Sequence, residues 1–558
     1  LVDLLRNYFQ IATADDERVY REKVTGKLLT LDRMLEDHLP YLLYLLGISE
    51  PQSTLPTMDA RVRRQRIFES IVRLLLSESQ SQPVVLLFED LQWLDRETEA
   101  FLDELAGQVP ASRILLLFNY RHEYSHDWNC QPGYIELRLE PLGQTEARGL
   151  LEALLGGHPG LGPLARLILA KTEGNPFFME EVVKTLAEEG AILGTPGSYR
   201  IETASVSLHI PTTVQDVLAA RIDRLSQAQK TLLQTLAIIG KDFSLSLIRY
   251  VTRLSEQELT PLLDDLQRSD LIYERPAFPE VEYTFKHALI QEVAASSLLL
   301  SQRSELHERA AEAIESLFPG RLEDYLNELA HHYSRSGNAG KAVHYLRLAG
   351  EQALRQSAQR EGIRHLSAAL ERLSTLPDSA ERTREKIRLL LTLGPAWIAA
   401  RGHGSPEVEE TYTQALVLCE REGGMPELFS AQAGLWSHYL LLAQLQQANA
   451  LAERLLSLAQ GTGDLERLSE AHRALGVTLL RLGEFARARD HMEEALSLHH
   501  PGRHSHDYLL RLVRNPAVHI RSTLSWILWY QACRISRAVA AKRRWSWPER
   551  PPIRLGWR

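Results

Sequence analysis

The sequence predicts a multidomain chain in which an α/β portion is followed by an almost wholly helical one. Three observations carry this expectation. Two apolar strands with a helix between them occupy residues 84–121, the order and spacing of a βαβ unit. A run of helical patterns ends in the hairpin-like stretch "LIYERPAFPEVEYTFKH" at 271–287. Farther on, a helical pattern recurs with an offset of 40 residues, the mark of stacked helix pairs.

Residues 1–78 read as helices. "LVDLLRNYF" and "DARVRRQRIFESIVRLLLSES" both repeat apolar residues at intervals of three and four, one face of a helix. Next, "SQPVVLLFED" places an uninterrupted apolar strand, Val84 to Phe88, directly before Glu89 and Asp90. Such strands are typical of parallel sheets buried on both faces. A helix, "RETEAFLDELAGQV", leads to a second apolar strand, "SRILLLFNYR", which closes on Asn119 and Arg121. "YIELRLEPL" reads as a third strand, and "GQTEARGLLEALLG" as a helix with Thr145 as its N-cap.

Residues 160–192 read as helical, broken by "TEGNPFF" at 172–178, and "GTPGSYRI" as a turn leading into a short strand. From "PTTVQDVLAARIDRL" the pattern is helix, helix, helix and then the hairpin, with Pro276 and Pro279 near its turn. That order fits a winged helix; a helical bundle with a small sheet is the alternative. Beyond about residue 320 the chain is nearly all helix. "QALVLCE" at 414, "RLLSLAQ" at 454 and "EALSLHH" at 494 superpose, as do Gly394, Gly434 and Ala474 in the preceding helices, and Ala399, Tyr439 and Leu479. Leu416, Leu456 and Leu496 are expected at equivalent buried positions. Stacked pairs of this kind form a solenoid with an extended concave surface.

Composition narrows the function classes. The 558 residues suit three or four domains, and the 44% apolar and 24% charged fractions are those of ordinary globular protein. A net charge of -9 and a pI near 6.2 give no global basic field for nucleic acid. Cys130, Cys419 and Cys533 lie too far apart for a disulfide framework or a zinc spacing, which fits a reducing cytosol. No 18-residue apolar run appears, so a membrane span is not expected.

The chemistry concentrates at the strand ends. Glu89 and Asp90, with Asp95 and Glu97 close behind, stand where ligands bind in α/β sheets. Carboxylates there suit a hard cation such as Mg²⁺ or can polarise a water; the plainer alternative is an acidic cap on the following helix. Asn119 and Arg121 can reach a γ-phosphate or an attacking water, or be ordinary strand-end residues. Gly174, Asn175 and Pro176 make a turn between helices by composition alone, and a lone His287 is more often packed than functional. The phosphate-loop pattern G-x-x-x-x-G-K-[ST] occurs nowhere in the chain.

Several of these segments together resemble one family. "PVVLLFEDLQWLD" is similar to the Walker B segment of the STAND class of AAA+-related signalling ATPases. "ILLLFNYRHEY" resembles their sensor strand, "TEGNPFFMEEVVKTL" their GNPFF-type lid, and "YTFKHALIQEVAASSLL" the end of their winged helix. The repeats resemble the tetratricopeptide (TPR)-like tail of the bacterial branch in which an adenylate/guanylate cyclase domain precedes the ATPase. The resemblance covers roughly residues 1–535, and in this family the Walker A loop lies upstream of the segment where this sequence starts. It implies that Glu89 and Asp90 serve the Mg²⁺ ion and the attacking water, with Glu standing where Asp is commoner. It implies further that Arg121 meets the γ-phosphate, Pro176 the nucleotide base, and His287 the diphosphate.

The expected organisation is therefore a partial P-loop NTPase (AAA-like) sheet domain lacking Walker A at 1–155, a helical lid at 156–205 and a winged helix at 206–318. TPR-like repeats at 319–535 and an irregular basic tail at 536–558 follow. The expected function is an ATP- and Mg²⁺-dependent cytoplasmic signalling switch, inactive as an ATPase without its phosphate loop. Its repeats would take a protein or small-molecule effector, its output would be a cyclase domain in cis, and self-association stays open. The alternatives are a transcriptional regulator of the same class, a kinase-linked protein, or a TPR scaffold with a degenerate ATPase.

Overall fold

The computed structural model describes residues 1–11, 15, 17–48, 53, 55, 58, 60–94, 96–121, 124–201, 213–275, 281–422, 425–499 and 516–544. They are mostly helical, with two small sheets. The chain divides into two compact units, residues 1–131 with 346–558, and residues 132–345. Each is described by itself.

In the first unit, β1 (Val84–Phe88) pairs in parallel with β2 (Ile114–Phe118), in register from Val84 against Ile114 to Phe88 against Phe118. The amphipathic helix Arg96–Ala106 forms the crossover between them. The helix Ala60–Ser81 packs on both strands and on the crossover. Leu86, Ile114, Ile71, Phe101, Leu102 and Leu105 are buried here. The opposite face of the sheet differs from the expectation for a strand buried on both sides. Val85, Leu87, Leu115 and Leu117 are 60, 59, 52 and 44% exposed. Side chains alternate faces along a strand, so these four form one continuous apolar strip that no described element of this unit covers.

Helices Leu39–Leu45 and Ala60–Ser81 meet the turn at 355–357 through polar contacts. Arg63 is buried; its Nε donates to Ser357 Oγ (2.6 Å) and its Nη1 to the Leu55 carbonyl (2.8 Å). Its guanidinium lies 5.3 Å from the ring centre of Tyr44, whose hydroxyl donates to the Arg355 carbonyl.

The repeats form three helix pairs: Ala380–Arg401 with Pro406–Glu422, Met425–Leu441 with Leu445–Thr462, and Leu465–Leu482 with Phe485–Leu498. Consecutive helices pack on one another down the array, and burial follows the 40-residue offset. Ala415, Leu455 and Ala495 are completely buried, whereas Leu416, Leu456 and Leu496 sit at matching, partly buried positions. The expected register holds, but the deepest contact belongs to the neighbouring residue, a turn of about 100° away on the helix. One ring sets the spacing of the first two pairs. A Cβ placed on Gly394 would lie 2.3 Å from Tyr412 Cζ, and one on Gly434 2.4 Å from the same ring. One repeat on, Ala452 takes the place of Tyr412 and Ala474 that of glycine, so a smaller residue on one helix is matched by a larger one on the next.

In the second unit, residues 134–140 form no strand, contrary to the third strand expected there. Their alternating Ile135, Leu137 and Leu139 are exposed and pair with no described strand. The helix that follows starts at Gln144 with Gly143 as N-cap, so Thr145 lies inside its first turn. It packs with Gly162–Thr172 and Pro176–Glu188 around Leu151, Ile168, Met179 and Val183. The expected short strand near 200 is a single bridge between Leu193 and Arg200. Helices Val214–Arg224, Gln227–Ile239, Leu245–Thr252 and Glu256–Arg268 then lead into a hairpin. Its strands are β4 (Ile272–Arg275) and β5 (Glu282–Phe285), and β3 (Asp242–Ser244) lies on the far side of β5, all antiparallel. Phe243, Leu263 and Phe285 are in its core. Pro276 and Pro279 lie outside the described residues.

The Tyr412 contact yields an expectation. Gly434→Ala pushes a methyl into a ring held from both sides, and overpacking of this kind costs about 1–3 kcal/mol. Denaturant unfolding should show that loss in the native chain and a much smaller loss when Tyr412→Ala is already present; equal losses would mean that the ring does not set the spacing.

Candidate functional site

The strand-end residues are brought together by hydrogen bonds from one side chain and its backbone. The Asn119 amide oxygen accepts from the Asp90 N–H (2.6 Å), its own N–H donates to the Phe88 carbonyl (3.1 Å), and its carbonyl accepts from the Leu91 N–H (3.1 Å). These contacts fasten the end of β2 to the turn leaving β1. They also hold Asp90 at φ 56°, ψ 50°, a left-handed conformation uncommon for non-glycine residues. Leu91 anchors the turn from inside, 1% exposed.

Glu89 and Asp90 are both exposed, at the carboxyl ends of parallel strands. The Asp90 side chain makes no cap hydrogen bond to the turn Leu91–Trp93 that follows it, while Glu97 and Glu99 stand in the first turn of the helix Arg96–Ala106, where acids favour a helix N-terminus. Asp90 Oδ1 instead accepts from Gln92 Nε2 (3.0 Å), and Gln92 Oε1 accepts from the Arg121 N–H (3.3 Å). Gln92 therefore ties the carboxylate of one strand end to the backbone of the other. Its signal in the sequence was slight: one amide between Leu91 and Trp93, two residues after an acid. Arg121 is exposed beside these groups. Glu97, by contrast, is engaged by Arg64 of the helix below at 3.1 Å, and Asp95 lies outside the described residues.

Pro176 and His287 belong to the second unit. Asn175 caps the helix Pro176–Glu188 by accepting from the Phe178 N–H (3.0 Å), with Pro176 as its first residue, the position that proline's fixed φ suits. Gly174 has φ +80°, and a Cβ there would lie 2.3 Å from the Leu142 carbonyl oxygen. The three residues thus have complete local reasons for their identities. What composition did not reveal is the next residue. The Phe177 ring lies against the His287 ring, centroids 4.3 Å apart, so the turn and the histidine form one place. His287 follows β5 by two residues and is the N-cap residue of the helix Ala288–Ser296. Burial holds its imidazole below the usual value, with opposing contributions from Glu181 and from Lys286 and Lys184.

Those charges form a network beneath it. Glu181 and Arg221 are both buried and paired, and Arg221 also donates to the Ser269 carbonyl (2.7 Å). Lys184 reaches Asp270 at 2.8 Å, and Lys286, next to His287, reaches the same carboxylate at 3.1 Å. Asp270 also has a left-handed backbone, φ 56°. The hydrogen bond from Lys184 and then that from Lys286 hold its carboxyl below the usual range.

No protein-family model matches the chain. An uncharacterized protein of Rhizobium meliloti, R02095, is 25% identical over 382 residues, covering 68% of this chain and 36% of its own length. The chain thus spans about a third of that relative. Among solved structures, a Signal Transduction ATPase with Numerous Domains (STAND) protein with a tetratricopeptide repeat sensor, PH0952 from Pyrococcus horikoshii, aligns at TM-score 0.36 and 14% identity. That alignment covers 93% of this chain and 73% of the other. BtubC from P. vanneervenii aligns at TM-score 0.28 and 17% identity, over 37% of this chain and 85% of its own.

The Asp270 network has a pH dependence whose sign follows from its lowered pKa. A carboxyl held low in the folded state stabilises above its ordinary pKa and loses that contribution as pH falls through the lowered value. Asp270→Asn, which keeps a residue tolerant of the left-handed backbone, should cost about 0.5–1 kcal/mol at neutral pH. Thermal unfolding of the two proteins should converge as pH drops below the carboxylate range; a gap that persists there would assign the effect to packing.

Proposed function

We propose that this chain is the regulatory portion of a nucleotide-dependent signalling ATPase of the STAND type, with TPR-like repeats as its sensor. The observation that carries the proposal is the strand-end constellation: two exposed acids at the carboxyl ends of parallel strands, one of them in a strained conformation fastened by Asn119. Strained, over-determined backbone concentrates at functional sites. A helix cap would need neither the strain nor the Gln92 link.

Oxygen donors such as Glu89 and Asp90 suit Mg²⁺, and the bound ion would neutralise charge on the β- and γ-phosphates. In this reading Asp90 accepts a proton from, or orients, the attacking water. Arg121 would stand near the γ-phosphate. The phosphate-loop pattern occurs nowhere in residues 1–558, so in this reading the phosphate cradle lies outside them. The apolar strip of β1 and β2, which no described element of their own unit covers, is a face on which a further layer would pack, since parallel sheets are ordinarily covered on both faces. The unit 132–345 would supply a lid and a winged helix. The repeats would bind an effector, and the output would pass to a cyclase domain in cis.

Residues 1–558 alone should then bind Mg-ATP weakly or not at all by calorimetric titration; tight binding would contradict the assignment of the phosphate cradle. In the longest gene product that contains these residues, Asp90→Asn should leave folding and nucleotide binding nearly intact and lower ATP turnover by at least ~10²-fold, the low end for acid–base groups. Unchanged turnover would favour a TPR scaffold with a degenerate ATPase.

A further inference from the structure

Three histidines outside the strand-end site converge in the second unit. His307 lies on the helix Leu300–Leu317, and His331 and His332 lie on the helix Leu326–Arg335 that packs against it. One ring nitrogen from each lies within 4.8 Å of the other two. His307 and His332 are buried and His331 is exposed, so the cluster runs from the packed interface out to solvent. Ring centroids stand 5.2, 5.8 and 5.3 Å apart around the triangle. No other group of three or more His, Cys, Asp or Glu side chains among the described residues meets this geometry.

The inner pair is arranged as ligands are. His307 Nδ1 and His332 Nδ1 face each other at 2.9 Å. Two imidazole nitrogens bound tetrahedrally to Zn²⁺ at about 2.0–2.1 Å sit roughly 3.3 Å apart, so a few tenths of an ångström separate the observed pair from a metal-bound one. With its proton on Nε2, His332 would present its Nδ1 lone pair toward His307. A metal bound between them would take the lone pairs of both Nδ1 atoms, each neutral ring keeping its proton on Nε2, so no net proton would be released.

We propose that His307, His331 and His332 form a binding site for a divalent transition metal of the Zn²⁺ class, with solvent at the fourth position beside His331. Three imidazoles select zinc, copper or nickel over magnesium and calcium. Arg335 opposes the site. Its Nη1 hydrogen-bonds His331 Nδ1 at 3.0 Å, and its charge and that of Arg303 bear on the cluster. Metal binding would therefore join two helices against the repulsion of these two charges.

The 558-residue protein, stripped with chelator, should take up one Zn²⁺ per chain in calorimetric titration. Its Co²⁺ form should show the visible absorption of tetrahedral nitrogen ligation. His331→Ala, at an exposed position that leaves the buried pair in place, should weaken Zn²⁺ binding at least ~10-fold, the lower bound found even for outer partners of metal ligands. Arg335→Gln should tighten it roughly 5-fold by removing a nearby charge. His472 and His491 also face each other, Nδ1 to Nδ1 at 2.9 Å, in the repeats, and His491→Gln serves as the control that should change nothing. No Zn²⁺ uptake, uptake unaffected by His331→Ala, or uptake lost with His491→Gln would overturn the proposal.

Discussion

The side-chain amide of Asn119 holds the carboxyl ends of β1 and β2 in one arrangement, and the placement of the strand-end acids depends on it. Two parallel strands end in exposed backbone, and nothing intrinsic to the apolar runs specifies where the acids beyond them point. Asn119 supplies that specification, because its side chain and backbone engage Asp90, Phe88 and Leu91 together. An aspartate at φ 56° stays there only if its surroundings over-determine it. The residue that the sequence suggested as a partner for phosphate or water is therefore first a positioning residue for Asp90.

A second constraint governs the unit 132–345. Glu181 and Arg221 are both buried. A buried pair of charges is a weak source of net stability but costs several kcal/mol to break on one side, so it fixes register more than it adds strength. Here it fastens the helix Pro176–Glu188 to Val214–Arg224 and, through Ser269, to the segment that enters the hairpin. Phe177 and His287 sit at the two ends of that arrangement. Their contact follows from helices fastened in this way, which is why neither residue alone disclosed it.

The elements that depend on local pattern were legible in the sequence. The apolar runs of β1 and β2, the alternation of the hairpin and the 40-residue offset each place residues where the structure has them. What was not legible depends on neighbours. The stretch 134–140 has the alternation of a strand, but a strand exists only by pairing, and no described strand pairs with it. Leu416, Leu456 and Leu496 stood out because leucine is large, yet the fully buried positions are Ala415, Leu455 and Ala495, where a side chain must fit a space closed on every side. Of the candidate site, Glu89, Asp90, Asn119 and Arg121 were readable as strand ends, while Gln92 and Phe177 were not. The cluster of His307, His331 and His332 was not read from the sequence, because His307 meets the other two only through helix packing.

The turn at 355–357 and the strand-end acids share the first unit, and the contacts that the helix Ala60–Ser81 makes toward each are directional. Ser357, at the turn before the helix Gln359–Ser374, takes a hydrogen bond from Arg63. The next residue, Arg64, pairs with Glu97 in the first turn of the helix that follows the Asp90 turn. An apolar interface can slide at little cost, because dispersion and burial have no preferred direction. A buried guanidinium fixed to a hydroxyl and a carbonyl cannot slide without leaving buried polar groups unsatisfied, at about 1–3 kcal/mol each. The helix Ala60–Ser81 therefore moves with the turn at 357 or breaks those bonds. Because it also packs on both β1 and β2, any displacement of the turn at 357 that keeps the bonds is carried to the strands whose ends hold Glu89 and Asp90.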